Sequence, residues 1–223
     1  MKHVVLVVAI LNFAALAQSP TEIGEAIGQS MKQNTANLRQ YTYKRRTEIA
    51  VKGEVRSVRV DLVRFVGGEM EAIPLSQPPQ QPAPGGIRGR IVEKKKEEMG
   101  EYMERLTSLC QRYLAPGGGD MQDLLQKASF SFSGQGGEKQ VRIVVTGDVK
   151  LSDSVAMTFD LATHKPVQTQ VRTDLDGDPV AISVDYSTLP DGTAYPARSV
   201  ISYPKHEIRI SMDSFDYMPA RLP

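Results

Sequence analysis

Histidine, cysteine and clustered carboxylates are where acid–base, nucleophilic or metal chemistry would be sought, and this chain holds few of them. Its 223 residues include three histidines and one cysteine. His164 falls in a turn beside Lys165-Pro166, and His206 follows Pro204-Lys205 at the opening of a strand. Neither has a second histidine or a cysteine at ligand spacing, so a zinc site lacks a ligand set and both read as surface residues. Cys110 sits on the apolar stripe of a helix, where a lone cysteine behaves as a small buried hydrophobe. Asp174-Leu175-Asp176-Gly177-Asp178 has the acidic density of a calcium loop. It stops at Pro179 between two alternating strands, without the late bidentate glutamate such loops need, and Asp-Gly is the preferred pair for a tight hairpin. The glycines from Gly134 to Gly137 have no following Lys-Ser/Thr and form a turn, not a phosphate cradle. The carboxylates Glu97, Glu98 and Glu101 lie on a charged helix face. No catalytic residue, metal site or cofactor is expected, and the chain reads as a non-enzyme.

One charge stands out. In the strand that begins at Tyr41, alternation sends Lys44 and Arg46 to one face and Tyr43, Arg45 and Thr47 to the other. The second face is the one expected to turn inward. A cation there requires a partner or water, unless it lies at the rim of the sheet and reaches outward.

The elements that must position these residues are mostly strands. Ser19-Pro20-Thr21-Glu22 combines a capping serine, a first-turn proline and a capping-box glutamate. It opens a helix over about 20–40 whose stripe is Ile23, Ile27, Met31, Asn34 and Leu38. From Tyr41 the period becomes two, and three strands joined at Lys52-Gly53 and Gly67-Gly68 make a meander ending near Leu75. Residues 76–90 contain four prolines and three glycines, which exclude a helix or an inner strand and read as a connector. A helical insert follows over 91–128. Its first helix runs from Ile91 to Leu114 with a stripe of Val92, Met99, Tyr102, Met103, Leu106, Leu109, Cys110, Tyr113 and Leu114. Asp120 caps a shorter helix through Ala128. After Ser129 everything alternates, through turns at Gly136-Gly137, Thr163–Pro166, Asp176–Asp178 and Pro190–Gly192. A phase change near Phe215 and Tyr217 predicts a bulge in the last strand.

The fold class expected is therefore α+β: a large curved antiparallel sheet of about ten strands, an incomplete β-barrel, covered on its concave face by helices. Strands with one apolar and one polar face have that appearance.

The first residues of the chain bear on where it works. Met1-Lys2-His3, an apolar run from Val4 to Leu16, and Ala15-Leu16-Ala17 follow the order of a secretory signal peptide, with Gln18 the expected first mature residue. The apolar run is shorter than the ~20 residues of a spanning helix, and no later segment is apolar enough, so no membrane span is expected after cleavage. The expected organisation is residues 1–17 as signal and 18–223 as one domain. Net charge is +1 and loses Lys2 with the signal, which argues against a nucleic-acid partner.

Two short phrases carry a family likeness. One is Met157-Thr158-Phe159-Asp160-Leu161 with Lys165-Pro166-Val167, an Asp ending one strand and a Pro beginning the next. The other is Leu189-Pro190-Asp191-Gly192 with Tyr195-Pro196-Ala197. Together with the order of signal, helix, short meander, helical insert and long meander, they resemble the periplasmic lipoprotein-carrier and lipoprotein-sorting superfamily. The anti-sigma proteins that sense mislocalised lipoproteins are similar. The absence of tryptophan and the proline-rich segment are departures from that pattern. The resemblance implies a half-barrel lidded by helices over an apolar cavity. It implies a periplasmic or secreted protein whose partner is a lipid or a lipoprotein acyl chain. Candidate lining residues are Val58, Val60, Leu62, Met157, Phe159, Val171, Ile182 and Val184, with Tyr43 and Arg45 at the mouth. Plain core packing is the competing reading for each of them. The alternative function is an envelope interaction module with a solid core, meeting a protein partner at an edge strand or at the proline-rich loop.

Overall fold

The computed structural model describes residues 19–76, 100–106, 108–110, 113, 127–134, 139–147 and 152–220. The signal segment, the proline-rich loop past Ser76 and the start of the short helix at Asp120 lie outside the described residues.

Helix α1 spans Pro20–Leu38. Its start is the expected capping box. The Glu22 amide donates to Ser19 Oγ at 3.2 Å and the Ser19 amide donates to Glu22 Oε2 at 2.7 Å. Ten strands follow: β1 Tyr41–Val51, β2 Glu54–Val66, β3 Glu69–Ser76, β4 Ser129–Ser133, β5 Gln140–Thr146, β6 Ser154–Asp160, β7 Pro166–Leu175, β8 Asp178–Thr188, β9 Ala194–Tyr203 and β10 Ile208–Pro219. They form one antiparallel sheet in the order β3-β2-β1-β10-β9-β8-β7-β6-β5-β4. The sheet is open, with β3 and β4 as its edges. Described helix is sparse beside it: α1, a helical segment at 100–106 and 108–110, and a 3-10 turn at Pro204–His206.

Local hairpins account for every pairing except one. β1 and β10, far apart in sequence, pair from Tyr41↔Pro219 to Val51↔Ile208, which joins the short meander to the long one. Because β3 and β4 are opposite edges, the chain between Ser76 and Ser129 must pass from one side of the sheet to the other. Turns stand where the sequence predicts them at Lys52-Gly53, Gly67-Gly68, Thr163–Pro166, Asp176–Asp178 and Pro190–Gly192, while the one at Gly136-Gly137 lies outside the described residues. Asp176 and Gly177 both take positive φ, at 55° and 83°, as a tight Asp-Gly hairpin requires, so the acidic run is a turn. The predicted bulge in β10 is present: Thr42 pairs with Met218 but Lys44 with Phe215, and Asp216 has φ 53°.

Register assigns every strand residue to a face. One face carries Val141 and Ile143, Phe159, Val171, Val180, Ile182, Ile201, Tyr203, Ile208 and Ile210, all buried. Two clusters form on it. Ile23 and Ile27 of α1 pack with Val141, Ile143 and Phe159. Tyr102, Leu106, Leu109 and Cys110 of the helical segment pack with residues of β7–β10, including Val171, Ile182, Ile201 and Ile210. Each large side chain buried this way contributes about 1.5–3 kcal/mol. Polar clasps reinforce both contacts. Asn34, the polar interruption in the stripe of α1, is bound to β9 twice: its Nδ2 donates to the Ala194 carbonyl at 2.8 Å and its Oδ1 accepts the Ala194 amide at 2.6 Å. Arg105 Nη1 donates to Asp176 Oδ2 at 2.7 Å, and the Tyr113 hydroxyl bonds Asp153 and lies 3.0 Å from Thr173 Oγ1.

Candidate functional site

The buried charge on the apolar face is created by a bulge. The β1–β2 hairpin starts in the register of its Lys52-Gly53 turn, Val51↔Glu54 and Ala50↔Val55. At Arg56 the register slips by one, so that Ile49 pairs with Ser57 and Arg45 with Asp61. Without that extra residue Arg45 would face Val60. A one-residue slip turns every side chain of a strand over, and here it carries Asp61 inward.

Asp61 is 1% exposed and sits between two arginines. Arg59 Nε donates to its Oδ2 at 3.0 Å, and Arg45 Nη2 stands 4.0 Å from the same oxygen. The Arg45 side chain is only 19% exposed. Two atoms of this group are buried without a hydrogen-bond partner among the described residues: Asp61 Oδ1 and Arg45 Nε. Such atoms are rare in folded proteins, because an unmade hydrogen bond forfeits the group's hydration. One is an acceptor and the other a donor, and with two guanidiniums to one carboxylate the group carries net positive charge.

Tyrosines pack beside this cluster. Tyr43, two residues before Arg45 on the same face of β1, is buried and stacks on Tyr217 with ring centroids 4.6 Å apart. Tyr195 lies 4.4 Å from Tyr217, and Tyr41 meets it edge-on at 6.4 Å. Burial raises the pKa of Tyr43 above the ordinary phenol value, with Arg45 pulling the other way. Burial also pushes Tyr217 up, together with the nearby Tyr43. The Tyr217 hydroxyl is buried without a hydrogen-bond partner among the described residues. Tyr41 is anchored separately, its hydroxyl donating to Asp191 Oδ2 at 2.7 Å. The arrangement is an apolar wall ending in fixed polar groups. It can hold the polar end of a mainly apolar molecule.

The sequence-derived site residues divide into three groups. Tyr43 and Arg45 lie on one face of β1, two residues apart. Met157, Phe159, Val171, Ile182 and Val184 lie on the same face, and four of them are buried or packed in the two clusters just described. Val171, at 1% exposed, lies among helical side chains. Val58, Val60 and Leu62 require correction. They pair with Glu48, Arg46 and Lys44 on the opposite face, and Val58 is 36% exposed. Their expected inward placement is what an unbulged hairpin would give, and the residue at Arg56 reverses it. Asp61, the partner of Arg45, falls on the polar face by simple alternation, so alternation alone does not find it. The signal that finds it is that Arg45 needs a carboxylate within reach on a neighbouring strand.

The remaining reactive residues are placed as follows. Cys110 is buried, and loss of hydration pushes its thiol pKa up to about 11, which leaves it a poor nucleophile. His164 is in the turn with φ 54°, half-buried. His206 is exposed but not isolated, since its ring stacks on Tyr203 at 4.9 Å and Tyr102 at 5.2 Å. Among the described residues no three His, Cys, Asp or Glu side chains are grouped to hold a metal, and no helix is long and apolar enough to cross a membrane.

The sequence matches no family model and no curated protein. Among solved structures the chain is similar to a LolA superfamily protein from Nitrosomonas europaea, at 11% identity over 88% of this chain and 94% of that one, with a TM-score of 0.39. It is similar to a putative outer membrane lipoprotein-sorting protein domain from Vibrio parahaemolyticus, at 11% identity over 87% and 92%, TM-score 0.44. It is also similar to a DUF1329 family protein from Desulfovibrio piger, at 10% identity over 92% and 96%, TM-score 0.46.

Proposed function

We propose that the chain is an exported, non-enzymatic protein of the cell envelope that shelters an acyl chain of a lipid or lipoprotein on the apolar face of its sheet. In this reading residues 1–17 are removed on export and 18–223 act as one domain. The helical layer lies over the concave side of the sheet, and the bound chain passes between the two. The Arg45–Asp61–Arg59 group holds its polar end. The observation that carries the reading is the pair of buried atoms without a partner among the described residues, Arg45 Nε and Asp61 Oδ1, at the end of a mainly apolar wall. A head group offering both an acceptor and a donor fits them. Around it the wall is apolar with a few placed polar groups, the usual character of a small-molecule site.

The helices are the parts of the cover that could yield. Every strand is held by a backbone ladder, whereas the described contacts of the helical segment with the sheet are side-chain contacts. Opening would exchange Leu106 and Leu109 for an acyl chain at little net change in buried apolar area.

A second reading is favoured by a specific observation. Val171 and Ile182 are already packed against Tyr102, Leu106 and Leu109, as in a solid-cored interaction module. Edge strand β3, with Met70 and Leu75 more than half exposed, would then meet a protein partner. Native mass spectrometry of the chain purified without detergent separates the two. The carrier reading predicts adducts in the mass range of single acyl lipids, diminished in Arg45→Leu. Bare protein after incubation with lipid, in both wild type and variant, would leave the interaction module.

A further inference from the structure

The face of the sheet turned away from the helices carries a groove that this reading does not use. Its volume is about 480 Å³, and its walls include Arg172 of β7, Asp185 of β8, Arg198 of β9 and Arg209 of β10, three bases to one acid. Its floor is made of short residues, Ala181, Ser183 and Ser202. The pattern of charge across the sheet gives it a direction. One cross-strand row reads Gln168↔Asp185↔Arg198↔Asp213↔Arg46, with acids and bases alternating. Opposite charges facing each other across strands are the ordinary stabilising arrangement. Arg198 in that row is compensated by Asp213, 3.8 Å away, and Asp185 accepts a hydrogen bond from Gln168 Nε2 at 2.8 Å.

The row four residues along is built differently. It reads Ser154↔Arg172↔Ala181↔Ser202↔Arg209↔Ala50, two arginines with no acid among them. Among the described residues neither Arg172 nor Arg209 forms an ion pair. Asp174, two residues along β7, is engaged by the Ser152 hydroxyl at 3.1 Å and by the Gly177 amide at 3.0 Å. Three strand intervals separate the two arginines, about 14 Å at the usual spacing. Two arginine side chains leaning over small residues can converge on one anion across that span. Serine hydroxyls on the floor add donors beneath it.

We infer that this groove binds a phosphate-bearing anion, held between the guanidiniums of Arg172 and Arg209 above the hydroxyls of Ser183 and Ser202. Guanidinium forks match phosphate oxygens in geometry and charge. A free phosphorylated solute and a phospholipid head group present the same chemistry. The inference stands on the polar face and is independent of the acyl-chain site.

The test uses the mature chain and the double variant Arg172→Gln/Arg209→Gln, with Arg64→Gln as a control charge removed elsewhere on the surface. Inorganic phosphate is titrated calorimetrically at low salt. Sedimentation is followed with vesicles of phosphatidylcholine alone and with added phosphatidylglycerol. The wild type and Arg64→Gln are expected to bind one of these probes saturably. The double variant is expected to bind it about tenfold or more weakly, with circular dichroism unchanged. Saturable phosphate binding assigns a soluble ligand, and binding confined to phosphatidylglycerol vesicles assigns a head group. No binding to either probe, or equal binding by the double variant and wild type, would overturn the site.

Discussion

Arg45 and Asp61 show how far residue-level reasoning reaches in this chain. Alternation alone marks Arg45 as a cation on the wrong face, and the structure places it there, half-buried beside a carboxylate. What alternation could not supply was the partner. The bulge at Arg56 has no glycine and no proline to announce it, and alternation without it turns Asp61 outward and Val58, Val60 and Leu62 inward. Breaking a buried charge group by removing one member leaves the other desolvated without compensation. The single variants Arg45→Met and Asp61→Asn are therefore each expected to destabilise the fold. The pair should be non-additive, with a coupling of about 0.5–3 kcal/mol, as found for residues in one polar network. Urea unfolding of the four proteins measures it. Strict additivity would mean that Arg45 and Asp61 do not act as a unit.

At the level of elements, helix α1 and the described turns were legible and the docking of the helical segment was not. The capping box at Ser19 and Glu22, the Asp-Gly hairpin at Asp176 and the β10 bulge near Phe215 follow from local chemistry, and each is present. Periodicity gave the stripe of the helical segment, but which strands it meets depends on the β3-to-β4 crossing, which no local pattern encodes. Leu106, 1% exposed within the cluster formed with β7–β10, tests that docking. Leu106→Ala is expected to cost about 2–5 kcal/mol, read as a lower urea midpoint; an unchanged midpoint would mean that the segment stands off the sheet. The turns have their own signature. The Thr163 hydroxyl, with the Thr163 and Ala162 amides, holds Asp160 below the ordinary carboxylate pKa. Lys205 does the same for Asp178, and Tyr41 for Asp191. Depressed values mean that the unfolded chain takes up protons first. Their stabilisation is complete above the ordinary carboxylate value of about 3.9 and is lost as pH falls toward the folded values. Urea midpoints measured from pH 6 to 2 should drop across that window, and less steeply in Asp160→Asn. A midpoint that does not change with pH would contradict this.

For the whole molecule, the count of about ten antiparallel strands was readable because each strand keeps a clean two-residue period. The closing partnership of β1 with β10 was not, since those strands share no local signal. That pairing makes a single apolar face continuous from β5 to β2 and sets Arg45 and Asp61 near one end of it. The face is where the proposed ligand belongs, and a photoreactive probe reports on it directly. A diazirine-bearing fatty acid incubated with the purified chain, irradiated and mapped by peptide mass spectrometry should label residues such as Tyr43, Met157 or Leu106, saturably and in competition with unlabelled fatty acid. Adducts confined to Val58, Val60 or Leu62 on the opposite face, or no saturable labelling, would contradict the account.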